Sequence, residues 1–173
     1  MTLKQASRTV TLIVLLICIT AGCGYRFVGR DEGLLAGRQV AVAIFANRTY
    51  RPTIEGVMTK ALRAELAAAT SNGSAGEAVA DLLVNGVIER LSIEPVAYTA
   101  ADQVKEYRLT VTASAGLTER RSGQVLWQGR EIVSVDYPTN TDLAQQQNAE
   151  EAAVNAACRQ LAERFRLAMA TGF

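Results

Sequence analysis

This 173-residue chain has few residues with which to do chemistry. It has no histidine, which removes the usual metal ligand, the usual general base and every Ser-His or Cys-His nucleophile arrangement. Hydrolysis by carboxylates would need two of them converging in a cleft. Asp142, Glu150, Glu151 and Glu163 share one long helical stretch, but their spacing lacks a converging partner, so they read as a solvated face and not a metal site. No enzyme and no cofactor is expected. What remains is three cysteines and a scatter of basic residues.

Cys23 is the thiol whose surroundings say most. It closes the run VTLIVLLICITAGC, residues 10–23, in which an apolar stretch ends abruptly in small residues. Lys4 and Arg8 supply a positive n-region, and residues 10–20 supply the apolar core of a secretory signal. That core is about half of the ~20 residues a membrane-spanning helix needs, so a permanent span is the weaker reading. Ala21 and Gly22 suit a signal peptidase, and cleavage after residue 22 makes Cys23 the first residue. The segment resembles a bacterial lipoprotein signal, in which the thiol receives a diacylglyceryl group before cleavage; Thr20 stands where an aliphatic residue is usual. An ordinary signal peptide followed by an incidental cysteine is the competing reading. Each buried methylene contributes about 0.8 kcal/mol and one acyl chain holds only marginally, so the two or three chains of a lipoprotein hold firmly. Gly24 follows the cysteine in place of Asp, which in such proteins of Gram-negative bacteria favours export to the outer membrane. Cys18 leaves with the signal, and Cys158, then the one free thiol, reads as a core residue.

Removing Lys4 and Arg8 with the signal turns the net charge of +1 slightly negative. A non-specific nucleic-acid binder needs a basic excess, and this chain lacks one. Three parts are expected: a lipoprotein signal peptide over residues 1–22, a short lipidated tether over 23–37 and a single domain over 38–173. The tether reaches roughly 50 Å at most when fully extended, so the domain works against a membrane surface.

Within the domain, residues 38–47 alternate around Val40, Val42 and Ile44 and predict a half-buried strand. Residues 52–69 place Ile54, Val57, Met58, Ala61, Leu62 and Leu66 on one helical stripe, with Glu55, Lys60 and Arg63 opposite. Residues 80–93 predict a second strand of ambiguous register. Residues 106–119 alternate with Tyr107, Leu109, Val111, Ala113 and Leu117 inward and Arg108, Thr110, Thr112 and Ser114 outward. Residues 124–137 return as a fourth strand, with a bulge expected at Gly129, and Trp127 and Tyr137 read as packing residues. Residues 142–170 predict a long helix with Val154, Ala157, Cys158, Leu161, Phe165 and Ala168 inward. The order β-α-β-β-β-α gives an α+β two-layer sandwich, a four-stranded mixed sheet covered by two helices on one face. Asn47 and Thr49 are expected to shape the turn into the first helix and satisfy its first amides.

Two stretches carry a family resemblance. Phe45, Asn47 and Thr49, followed by Pro52, Glu55, Thr59, Ala61 and Leu62, resemble the segment after the first strand in the LPS-assembly lipoproteins, the LptE family. The junction ITAGCGYRF is similar to theirs, and the element order and closing helix extend the likeness over nearly the whole chain. The resemblance implies a non-enzymatic outer-membrane lipoprotein that plugs the large β-barrel LptD, assists its assembly and takes part in lipopolysaccharide transport to the outer leaflet. A compact body with polar faces suits the polar lumen of a large barrel.

Lipopolysaccharide is phosphorylated, so a contact site should offer arginine or lysine to phosphate oxygens. The best local cluster is Arg120 and Arg121 at a hairpin tip, with Arg130 on the returning strand and Lys105 and Arg108 at the start of the third. A solubilising turn is the plainer account of the two arginines. The rival for the whole protein is a free-standing, periplasm-facing lipoprotein that binds a small ligand or peptidoglycan.

Overall fold

A computed structural model of the chain describes residues 33–70, 76 and 78–172. The expected signal peptide, Cys23 and the tether as far as residue 32 lie outside the described residues. The end of the expected tether, Gly33–Leu35, forms a single 3₁₀ turn with Leu35 buried.

Two short strands, β1 (Val40–Val42) and β2 (Ala46–Asn47), pair in parallel with the same edge of β3 (Leu82–Tyr98). Helix α1 (Ile54–Ala69) makes the crossover between them, as parallel pairing requires. β3 then pairs antiparallel with β4 (Val104–Glu119), and β4 with β5 (Val125–Pro138), giving the order β1-β3-β4-β5. The long helix α2 (Leu143–Thr171) closes the fold beside α1, and both lie on one face of the sheet. This is the expected α+β sandwich.

Alternation decides which face the helices cover. Leu109, Val111, Ala113, Ala115 and Leu117 of β4 are buried on the helical side. They meet Ile54, Met58, Leu62 and Leu66 of α1 and Val154, Ala157, Cys158, Leu161 and Phe165 of α2, all in one core. Each large side chain so buried is worth about 1.5–3 kcal/mol. Phe165 meets Trp127 edge-on with ring centroids 6.1 Å apart, and Tyr137 stacks on Tyr107 at 5.8 Å. The ends of α2 are set locally: the Asp142 carboxylate accepts the Gln145 amide at 2.9 Å, and Gly172 takes the left-handed conformation that ends the helix.

Four expectations are corrected. The strand over residues 38–47 is two pieces, because Ile44 turns outward to 70 % exposure while Phe45 turns in to 2 %. The Phe45 amide leaves the ladder for the Thr59 hydroxyl, 3.1 Å away. Gly129 is not a bulge: it stays in register with Ala115, and its missing Cβ makes room for the Trp127 ring. The irregularity falls at Leu117/Thr118, opposite Trp127 and Val125. β3 runs on past residue 93 to Tyr98, through Pro95. Lastly, Asn47 and Thr49 shape the turn but do not cap the helix, whose N-cap Thr53 has a positive φ of 70° and no side-chain cap bond.

Candidate functional site

The stretch around Asn47 ties the sheet to α1. Asn47 Nδ2 donates to the Arg51 carbonyl and to Glu55 Oε2, each at 2.8 Å, and its Oδ1 accepts from the Thr49 amide and hydroxyl. Thr59 Oγ1 accepts the Phe45 amide and donates to the Glu55 carbonyl. Arg51 carries the link to α2 through an ion pair with Glu150. Among the described residues no buried side-chain polar atom lacks a hydrogen-bond partner. The frame that holds the surfaces is therefore a fully bonded one.

The basic residues do not form one cluster. Arg108 in β4 and Arg120, just past its end, are twelve residues apart, roughly 40 Å of extended chain. At one end Arg120 and Arg121 occupy the β4–β5 turn, joined to the start of β3 by the Arg120 amide donating to the Asp81 carbonyl at 2.9 Å. Arg38 lies with them, 3.5 Å from Glu119, and the Ser122 hydroxyl donates to the same carboxylate at 2.6 Å. Arg120 and Arg121 are exposed and make no ion pair among the described residues. At the other end Lys105 is exposed, while Arg108 grips Asp136 through two bonds of 2.7 and 2.8 Å. The Arg108 hydrogen bond holds the Asp136 carboxyl below its usual range and in turn raises the guanidinium. Arg130 sits between the ends, opposite Ser114, and donates to Glu89 at 2.7 Å, which lowers the Glu89 carboxyl.

These pairs mark the face of the sheet that the helices leave uncovered. Thr110 and Ser134 join across it at 2.9 Å, beside Arg108–Asp136. A dish of about 480 Å³ on the sheet is lined by Asn85, Ser114, Gly116, Gln128 and Arg130. The face is mostly polar, with Ile132 half exposed among its hydroxyls and charges, and is suited to hydrogen bonding with a polar wall. Thr112, expected outward, is flanked in register by Arg90 and Ile132 and is only 6 % exposed.

Sequence reasoning missed Arg38 and Asp81 at the turn end. Only strand register brings them to Arg120, and nothing local signals it. Cys158 is buried, and burial pushes its thiol up to about 12, so it is no nucleophile near neutral pH. Cys23 lies outside the described residues.

A sequence model of the LptE family, described as lipopolysaccharide-assembly, matches residues 37–169. No curated protein matches the chain. Among solved structures the chain is similar to protein XCC0632 from Xanthomonas campestris, with a TM-score of 0.56 and 16% identity over 78% of this chain and 85% of that one. It is also similar to the rare lipoprotein B from Shewanella oneidensis, with a TM-score of 0.50 and 14% identity over 76% and 94% of the two chains. At these identities the likeness is one of fold.

Proposed function

Because this chain belongs to the lipopolysaccharide-assembly family, LptE, we propose that it is a lipid-anchored outer-membrane protein that plugs an LptD-type β-barrel, assists its assembly and takes part in lipopolysaccharide transport to the outer leaflet. Its role is to bind and position, with no catalytic step. Cys23 is the acylated residue, and residues 1–22 are its signal peptide.

The observation that carries the plug reading is the uncovered sheet face. Two ion pairs are made within it, Arg108 with Asp136 and Arg130 with Glu89, its hydroxyls Thr110 and Ser134 bond to each other, and Arg90 and Glu94 stand exposed beside them with no ion pair among the described residues. Such a face can stand inside a polar lumen, with four of its charges matched within the sheet and Arg90 and Glu94 left to pair with the wall.

The lipopolysaccharide contact follows from the length of the sheet. The 16 residues of β4 extend roughly 50 Å at ~3.4 Å each, more than the ~30 Å of bilayer hydrocarbon. With the tether at one end in the periplasmic leaflet, the end bearing Lys105 and Arg108 reaches the level of the outer one. Exposed Lys105, which has no ion pair among the described residues, offers phosphate its ammonium there, and exposed Tyr98, Val96 and Leu143 offer apolar surface to acyl chains. Arg130 stands midway, and Arg120 and Arg121 stand at the tether end.

A mild-detergent pull-down of the full-length tagged protein from outer membranes of its host tests the reading, with Cys23→Ala as control. A large β-barrel of LptD type should elute in stoichiometric amount. A correctly acylated protein that elutes alone would overturn the plug and favour the free-standing module for a small ligand or peptidoglycan.

A further inference from the structure

The described chain starts at Gly33, and its placement says which end of the fold faces whatever precedes it. Gly33 sits against the last turn of α2, where an added Cβ would collide with the Ala170 carbonyl. Leu35 is buried, and β1 then enters the sheet with Val40 opposite Leu82, the first residue of β3. The β4–β5 turn returns to the same place, held by the bond from the Arg120 amide to Asp81. Only about ten residues separate Cys23 from Gly33, at most ~35 Å of extended chain.

That end combines two features that suit an anionic lipid surface. Arg120 and Arg121 line an open depression of about 730 Å³ with Arg38, Val79, Asp81 and Glu119. Arg38 pairs with Glu119, and Asp81 accepts the Gln39 amide at 2.9 Å, so two guanidinium groups are left for an outside phosphate. Val79 and Val125, 68% and 55% exposed, stand at the same end. Arginines on phosphates with apolar side chains at the headgroup boundary are the makings of an interfacial contact. At the opposite end Arg108 is already held by Asp136.

We infer that the Arg120–Arg121 turn, with Val79 and Val125, docks on anionic phospholipid headgroups of the leaflet that holds the acylated Cys23. The inference rests on the proposed acylation. Docking gives the domain a second attachment to the membrane, which holds its long axis upright and carries the Lys105 end toward the far leaflet.

The test uses the full-length acylated protein in vesicles of phosphatidylethanolamine and phosphatidylglycerol, with a fluorophore on Val125→Cys or, separately, Tyr98→Cys. The introduced thiol is the one that reacts, since Cys23 is acylated and Cys158 is buried. Lipids carrying a headgroup-level quencher should quench the label at 125 and not the label at 98. Arg120→Glu with Arg121→Glu should abolish the difference, at roughly fivefold per arginine in the ratio of docked to undocked protein. Omitting phosphatidylglycerol or raising the salt should do the same. An acylated protein whose 125 label is as unquenched as its 98 label overturns the docking and leaves the anchor standing. A mass spectrum without an acyl group overturns the anchor and the docking together. If the double reversal leaves quenching intact but weakens binding of purified lipopolysaccharide, the turn is a lipopolysaccharide site and the phospholipid docking is overturned.

Discussion

The ring of Phe45 fills the space in which a Cβ at residue 86 would stand, so Phe45 and Gly86 form one packing unit between the broken first strand and β3. Phe45 is fully buried, and neighbouring Ile44 is turned to solvent. The break in the strand and the glycine in the sheet are thus one feature: the chain skips a step to lay an aromatic ring on bare backbone.

Gly86→Ala should therefore destabilise the fold by about 2 kcal/mol, the usual cost of forcing an extra methyl into a packed core. Phe45→Leu in the same chain should recover part of the loss, because the two residues share the space and their effects cannot add. Chemical unfolding followed by the fluorescence of Trp127, the one tryptophan in the chain, measures both. Additive losses would show that the ring moves aside freely.

Thr59 is the hinge of the same corner, accepting the Phe45 amide at 3.1 Å and donating to the Glu55 carbonyl at 2.6 Å. Valine keeps its shape and removes the acceptor, which leaves a buried amide unpaired. Thr59→Val should cost about 1–3 kcal/mol. Thr110→Val, on the exposed face, should cost within ~0.5 kcal/mol. Equal effects at the two sites would mean that water replaces the Thr59 hydroxyl.

Burial raises the Cys158 thiol from 9.0 to about 12. An acid raised on folding contributes stability that is fully present below its unfolded value and is lost as pH climbs toward the folded one. The fold should thus weaken between about pH 9 and pH 12, by about 1 kcal/mol at pH ~10. Cys158→Ala should remove that alkaline slope, whatever the cavity costs at neutral pH. Urea midpoints of both proteins at pH ~8 and ~10 measure it, and parallel losses would place the alkaline sensitivity elsewhere.

Elements with strong periodicity were legible in the sequence, and so was the fold class. The α1 stripe of Ile54, Met58, Leu62 and Leu66 and the alternation of Leu109, Val111 and Ala113 name their buried faces without help. The second strand is expected over residues 80–93, yet β3 continues to Tyr98 through Pro95. Among the described residues the far edge of β3 has no partner strand beyond Ile88, and a free edge tolerates proline. The basic residues show the limit most clearly. Adjacent positions Arg120 and Arg121 stay together, but Lys105 and Arg108 lie at the opposite end of the sheet with Arg130 midway, and Arg38 arrives from 82 residues away by register alone. Cross-strand pairing also consumes charges that look free in sequence, as Asp136 and Glu89 do for Arg108 and Arg130.

The uncovered sheet face makes the plug reading testable at one residue. Ser134 is exposed and touches Thr110 across the strands, while its neighbours in the core point the other way. A tryptophan there projects outward and disturbs no buried contact, so the stability of the isolated domain should change by under ~0.5 kcal/mol. A closely fitted lumen has no room for the added ring. Ser134→Trp should keep its acylation and its melting temperature, yet bring down at least ~10-fold less barrel in mild detergent, the equivalent of ~1.4 kcal/mol of lost association. Gln160→Trp, on the solvent side of α2, separates the layers: if it alone reduces the yield, the helices seat the plug and the polar sheet face looks onto water. If both do, the lumen encloses the whole sandwich.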